Sequence, residues 1–491
     1  MTYPSITGKK PFLALVVLFV CILGMLNHKK AKAQQSLDSV ALKYSLDSVY
    51  LDTVNNNWQA GLSAAVRWQG DEWSGVNGYA NIDSNTYINT DHHFRIYSST
   101  KTMTASLILD LMSEGKLTLN DSLYEHVPAI TNPNIDTNVT VRQLLEHASG
   151  FPDYVDDQDV LIDVVANPTK KWEPLEVMND TDYVEEQKFP TGSQQEYSST
   201  NYILLGLIAE NALASDSVER AFQKRFFEPL NMNDSYFPPA IPVQGQMPSP
   251  HDDLSDYGLS SSSEIQTANI SLEGVGSIAW TTGGVIAKAS DLAKWADKLY
   301  TGQAVSDEAL DTMFNSLQGA VDDDDPGYGI FRDEATGKHV VGHGGAAPGY
   351  RSIMAHDTLH DISIAVCTNQ GEGDLSNVSN ALLNATLNPG SVEVTGIPEY
   401  EADAPVSLMN PYPNPVSDQL HYSLQLKEPQ TDVTSLLFDA SGRLIKRKDA
   451  GEVSEGEHSF TLAVEDLPSG QYFLRIESED AMQVQKVIVS E

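Results

Sequence analysis

Fifteen uncharged, largely apolar residues run from Phe12 to Leu26, with Lys9 and Lys10 before them and Ala31-Lys32-Ala33 after. A membrane span needs ~20 such residues. The basic start, the apolar run and the paired small residues read as a secretory leader, residues 1–33, cut after Ala33. Lys29 and Lys30 ahead of that point also fit a retained anchor. Beyond it the pattern switches between helical and extended periods. Ser36–Trp58 fits a helix, and Leu62–Trp68, Ser352–His356 and Ile362–Thr368 fit strands. Leu107, Ile108, Leu111 and Met112 form one helical stripe, which Gly115 ends. Tyr202–Ile208 reads as a second, buried helix. Pro398, Pro405, Pro411, Pro413 and Pro415 then break any regular element. After them Leu420, Tyr422, Leu424 and Leu426 alternate with polar residues. Ser435–Asp439, His458–Leu462, Gln471–Ile476 and Val484–Val489 are further strand candidates. Short strands separated by turns predict a small β-sandwich. The expected organisation is a leader (1–33), an α/β (α+β) unit (34–400), a Pro-rich linker (401–415) and a sandwich within 405–491.

Length and charge narrow the function. A chain of 491 residues suggests about three folding units. Its 41% hydrophobic content excludes a wholly disordered or collagen-like chain. Acidic residues number 68 against 30 basic ones, a net charge of -38. The leader would take five lysines and no acid with it, leaving 25 basic against 68 acidic residues, or -43. Nucleic-acid binding and polybasic membrane attachment both need the opposite sign. Cys21 leaves with the leader, so Cys367 is the single mature thiol, inert within a strand. A disulfide scaffold and a multi-cysteine metal site are excluded. His92 and His93 are consecutive in an extended lead-in and point to opposite faces, so they do not share an ion. Asp322–Asp325 reads as a solvated loop, and the insertion from about 238 to 275, with Ser260–Ser263, as a loop over the site. No metal and no organic cofactor is expected.

The chemistry centres on Ser98-Ser-Thr-Lys101 at the start of the first helical stripe. Residues three apart share a helix face, so the Lys101 amine can reach Ser98 Oγ. A serine is a weak nucleophile until a base takes its proton. The positive end of the helix dipole stabilises a developing oxyanion and disfavours the ammonium form of the lysine. The plain alternative is that Ser98 only caps the helix.

Phe94-Arg-Ile-Tyr-Ser-Ser-Thr-Lys101 resembles the nucleophile segment of the serine β-lactamase and penicillin-binding family, in particular its class C and D-alanyl-D-alanine carboxypeptidase-like branch. Tyr97 stands where a glycine is usual. Glu114-Gly-Lys-Leu117, Val141–Pro152, Phe227–Met232, Thr282-Gly-Gly-Val285 and Ala289-Ser-Asp-Leu292 continue the likeness in family order, over roughly 37–388. The resemblance implies an antiparallel sheet flanked by helices beside a helical subdomain. It implies Ser98, Lys101 and Tyr197 as catalytic residues, with Tyr197 held partly ionised by the lysine and passing a proton from Ser98 to the leaving group. Ser199 takes the place of the family's asparagine in Tyr197-Ser-Ser199, with a shorter reach toward a substrate amide. His343-Gly344-Gly345 matches the third family motif. Its glycines are expected to let substrate approach the strand, and His343 to bind a substrate carboxylate or help move a proton. The oxyanion hole implied is the backbone N–H of Ser98 with that of Ala346. His147 matches a family position and is read as structural.

The end of the chain resembles the C-terminal sorting domain of type IX secretion cargo, on Asn410–Pro415, Asp439-Ala-Ser-Gly-Arg443 and Ser469–Ile476. That implies export, with the type IX machinery as partner and the cell surface or exterior as destination. The function expected is a secreted serine hydrolase that forms an acyl-enzyme with D-amino-acid peptides, β-lactams or small carboxylic esters. A catalytically weak surface-binding protein and an adhesin using the sandwich are the alternatives.

Overall fold

The computed structural model describes residues 36–54, 60–84, 86–167, 169–252, 272–319, 326–333, 339–389, 406–409, 411–439, 443–478 and 482–490. The leader, the Ser260–Ser263 loop, the Asp322–Asp325 run and residues 401–405 and 410 of the Pro-rich linker lie outside them.

A six-stranded sheet organises the larger part. Its strands are β1 (Leu62–Trp68), β2 (Asp71–Asn77), β3 (Phe331–Asp333), β4 (Val340–Ala347), β5 (Tyr350–Asp357) and β6 (Ile362–Thr368), in the order β2-β1-β6-β5-β4-β3. Every neighbouring pair is antiparallel. Successive side chains on a strand face opposite sides, and here both sides are apolar. Ala64, Val66, Ile364 and Val366 join one core with Leu42 and Leu46 of helix α1 (Ser39–Val54). Ala65, Ala365 and Cys367 face the other core. That core holds helix α2 (Thr100–Ser113) and helix α3 (Ser199–Leu213). Helix α4 (Leu272–Gly283) and the amphipathic α5 (Ala289–Tyr300) also pack into it. Helix α6 (Ser376–Leu387) packs with α1 on the first face. Cys367 is fully buried, and burial raises its thiol pKa, which fits the inert reading.

Helix α2 ends as its sequence suggests. Gly115 takes φ +72°, its N–H reaches Met112 O at 2.8 Å, and Lys116 N reaches Leu111 O at 3.0 Å. This closes the last turn around a residue without Cβ.

The tail forms two sheets around its own core. One contains β7 (Val406–Leu408), β8 (Gln419–Leu426) and β11 (Gly456–Ala463). The other contains β9 (Gln430–Asp439), β10 (Leu444–Val453), β12 (Gly470–Glu477) and β13 (Met482–Val489). Leu420, Tyr422, Leu424 and Leu426 all point into the core, as their period of two requires. Two features differ from the sequence reading. Strand β7 lies inside the expected linker, where Val406 pairs with Leu426 and buries its side chain. The polar β10 escapes notice because it is an edge strand whose positions, Val453 apart, are half-buried or exposed. Arg475 joins the two parts, stacked 5.4 Å from the Tyr87 ring and 4.9 Å from that of Phe438. Its Nη1 donates to Asn77 Oδ1 at 3.1 Å, and the Tyr87 hydroxyl donates to Glu477 at 2.7 Å.

Candidate active site

Ser98 lies in a single 3₁₀ turn, Tyr97–Ser99, immediately before α2. The turn is anchored from several sides. Ile96 N donates to Val285 O at 3.2 Å. Ser99 Oγ lies 3.0 Å from Ser352 Oγ and donates to His343 O at 3.2 Å. Tyr97 adopts φ +41° and donates its hydroxyl to Pro348 O at 3.0 Å. That left-handed backbone explains why glycine suits this position, since a side chain there is strained. Ser98 is not a helix cap: the cap residue is Ser99, which makes no side-chain capping bond.

Lys101 Nζ lies 2.9 Å from Ser98 Oγ, 3.3 Å from Ser199 Oγ and 3.1 Å from Thr282 O. Helix α4 reaches that point through a kink at Trp280, φ +32°. Lys101 is fully buried, and burial pushes its amine down to about 7, with the Asp153 carboxylate pulling the other way. A neutral amine has a lone pair to take the Ser98 proton, so this lysine can serve as base near neutral pH.

Tyr197 enters at the loop before α3. Its ring stacks on His147 at 4.6 Å, and Lys101 Nζ stands 4.9 Å from the ring centroid. Burial raises the phenol pKa far more than its hydrogen bond with Ser98 lowers it. That upward direction, with desolvation as its largest cause, runs against the expected partly ionised phenol. His147 holds this ring. It is buried between Tyr197 and Tyr202, and its Nδ1 accepts from Ser198 N at 3.0 Å.

Ser199 turns inward. Its hydroxyl donates to Asp153 Oδ2 at 3.1 Å while lying beside Lys101. The buried Asp153 was missed by the sequence reading. It directly follows the quoted Val141–Pro152 stretch, but a lone aspartate there carries no visible signal until the fold sets it against Ser199. Burial raises its pKa, and Lys101 pulls it back.

On β4, alternation places Gly344 and Ala346 at the exposed face and His343 and Gly345 beneath. A Cβ at Gly344 meets nothing nearer than Ser352 O at 3.5 Å, whereas one at Gly345 meets Ile96 O at 2.0 Å. Gly345 is thus needed for close packing under the Ser98 turn rather than for substrate approach. His343 Nδ1 lies 2.5 Å from Gly344 O, so it carries the proton. Burial, reinforced by Lys101, pushes this imidazole down to about 3. That downward direction runs against a charged pairing of His343 with a substrate carboxylate. Its buried Nε2 meets no partner among the described residues and remains a proton acceptor.

Ser98 therefore borders an open groove with Tyr197, His343, Gly344, Gly345 and Ala346. Among the described residues no group of three or more His, Cys, Asp or Glu side chains is arranged to hold a metal. No helix of the described residues is long and apolar enough to cross a membrane.

Comparisons with known proteins agree with this architecture. Residues 410–490 match the secretion system C-terminal sorting domain, which marks the chain for type IX secretion to the cell surface or exterior. Protein flp of Staphylococcus aureus is 30% identical over 162 residues, 33% of this chain and only 31% of that protein's length. Penicillin-binding protein 4* of Bacillus subtilis is 24% identical over 343 residues, covering 66% of this chain and 71% of the relative. A D-stereospecific amidohydrolase from a Streptomyces species superposes with a TM-score of 0.58 at 25% identity, covering 71% of this chain and 98% of that one. The β-lactamase family model matches residues 47–387, and with its segments folded around Ser98 and Lys101 the chain belongs to the β-lactamase family.

Proposed function

We propose that this chain is an exported serine hydrolase that works through an acyl-enzyme on Ser98. The observation that carries the reading is the buried Lys101 amine, 2.9 Å from Ser98 Oγ and lowered to about 7. Ser98 Oγ attacks the substrate carbonyl as its proton passes to the neutral amine. The backbone N–H groups of Ser98 and Ala346 hold the oxyanion. Tyr197, protonated, gives its proton to the leaving group and regains one from the Lys101 ammonium. Water then attacks the acyl carbonyl as Lys101 accepts its proton, and Lys101 returns that proton to Ser98 Oγ as the ester bond breaks and the acid leaves. Ser199 supports Lys101 and faces the substrate, Gly344 leaves the groove open, and His343 offers an uncharged acceptor at its floor. No metal or organic cofactor takes part in these steps.

The functional units are residues 34–400 for hydrolysis and 405–491 for sorting, with the type IX machinery as partner. The substrates are carboxylic acid derivatives: D-amino-acid peptides, β-lactams or small esters. The penicillin-binding and amidohydrolase relatives favour this range. The test compares wild type with Ser98→Ala on an activated ester and a penicillin. Turnover confined to wild type is expected. Equal turnover by the variant moves the chemistry off Ser98 and overturns the reading, and no turnover by either protein overturns it in favour of a surface-binding protein.

A further inference from the structure

Ser98 borders a second space besides the groove. A cavity of about 250 Å³ opens beside it, walled by Val155, Val160, Val164, Val275, Ile278 and Pro348. Arg95 is the one charged side chain among its described lining residues, and no carboxylate is among them. The groove on the other side is larger, about 700 Å³, and is lined by Tyr197, His343, Arg351 and Asp374 among others.

We infer that the acyl half of the substrate is a bulky, uncharged apolar group seated in this cavity, and that the leaving group lies in the groove. The inference rests on the proposed acyl-enzyme. The leaving group must take a proton as its bond to the carbonyl carbon breaks. Tyr197, the group placed to give that proton, lines the groove and not the cavity. The acyl side of the carbonyl then faces the valine wall. Size sets the class: a dry apolar cavity of roughly 150 Å³ accepts benzene, so this one takes a phenyl ring with one or two methylenes, or an acyl chain of about six carbons. A free α-ammonium beside the carbonyl would enter a largely apolar space with no carboxylate among its described lining residues to pair with. Acyl groups without that charge are therefore preferred over free amino-acid derivatives.

Burial of each added methylene predicts roughly a fourfold rise in kcat/KM until the cavity is full. The experiment uses the mature full-length chain with p-nitrophenyl esters from acetyl to octanoyl, plus phenylacetyl. The result expected is a climb to about hexanoyl, a levelling beyond it, and phenylacetyl among the best. Val155, 46% exposed on a surface turn, is the site for variants because a charge there does not force a buried residue to unfold. Val155→Asp should reduce the hexanoyl-to-acetyl ratio at least tenfold, and Val155→Leu should keep it. Ser98-dependent turnover with no dependence on acyl length, or a ratio untouched by Val155→Asp, overturns the cavity assignment while leaving the acyl-enzyme standing. No Ser98-dependent turnover of any ester overturns both.

Discussion

Replacing Asp153 by asparagine should move the acidic limb of the pH–rate profile to lower pH. The substitution removes the charge and keeps the side chain's shape. Asp153 accepts from Ser199 Oγ and Val155 N through different oxygens, at 3.1 and 3.2 Å. An asparagine oxygen can take over the bond to Val155 N while its NH2 group meets Ser199 Oγ, which can turn to accept. Through Ser199, the carboxylate and Lys101 Nζ are at most about 6.4 Å apart. At an effective dielectric of ~20, that separation is worth about 2–3 kcal/mol, or about two pKa units. Burial raises the Asp153 carboxyl and Lys101 pulls it back, and the limb is expected to shift by about one to two units. The sign follows from the charge. Asp153 favours the ammonium, so its loss frees the amine at lower pH, and the limb near pH 7 should fall toward 5–6. The assay is kcat/KM for an activated ester from pH 4.5 to 9, each protein normalised to its own plateau. An unmoved limb, or one moved to higher pH, refutes Lys101 as the titrating base or Asp153 as its partner.

Three further outcomes follow from the same geometry. His343→Gln should keep the limb near pH 7, because the imidazole already sits at about 3; loss of that limb in the pH profile would contradict the assignment to Lys101. Gly345→Ala should sharply lower the melting temperature and the Ser98 reaction, since its Cβ meets Ile96 O at 2.0 Å, whereas Gly344→Ala, with 3.5 Å of clearance, should leave the melting temperature nearly unchanged. Arg475→Ala should destabilise the tail's seat by about 2–5 kcal/mol by leaving Glu477 without its buried partner, read as faster limited proteolysis of the tail with the Ser98 reaction intact.

Much of the hydrolase fold was legible because its signals are local. The stripe from Leu107 to Met112 and the glycine after it specify helix α2, and the strands β1, β5 and β6 are short runs bounded by turns. The Ser98–Lys101 pair is equally local, being one helical turn. What escaped the sequence depends on burial or on distant neighbours. Burial, the largest cause of the pKa shifts at Tyr197 and His343, is a property that no spacing reveals. Gly345 answers to the Ile96 carbonyl, 249 positions away. Asp153 acts through Ser199, a contact that exists only once α3 packs against the turn at Tyr154–Asp156. Strand β10 carries no apolar alternation because it lies at a sheet edge, and β7 hides among prolines because three residues suffice to pair with β8.

The most direct test of the central claim is the site of acylation. The mature chain would be incubated with a penicillin and, separately, with a fluorophosphonate, digested, and its peptides mapped by mass spectrometry, with Ser98→Ala and Lys101→Met alongside. A covalent adduct on the Ser98 peptide in wild type, absent from Ser98→Ala and strongly slowed in Lys101→Met, is the result predicted. An adduct on another residue, or none with either reagent in a folded protein, would contradict it.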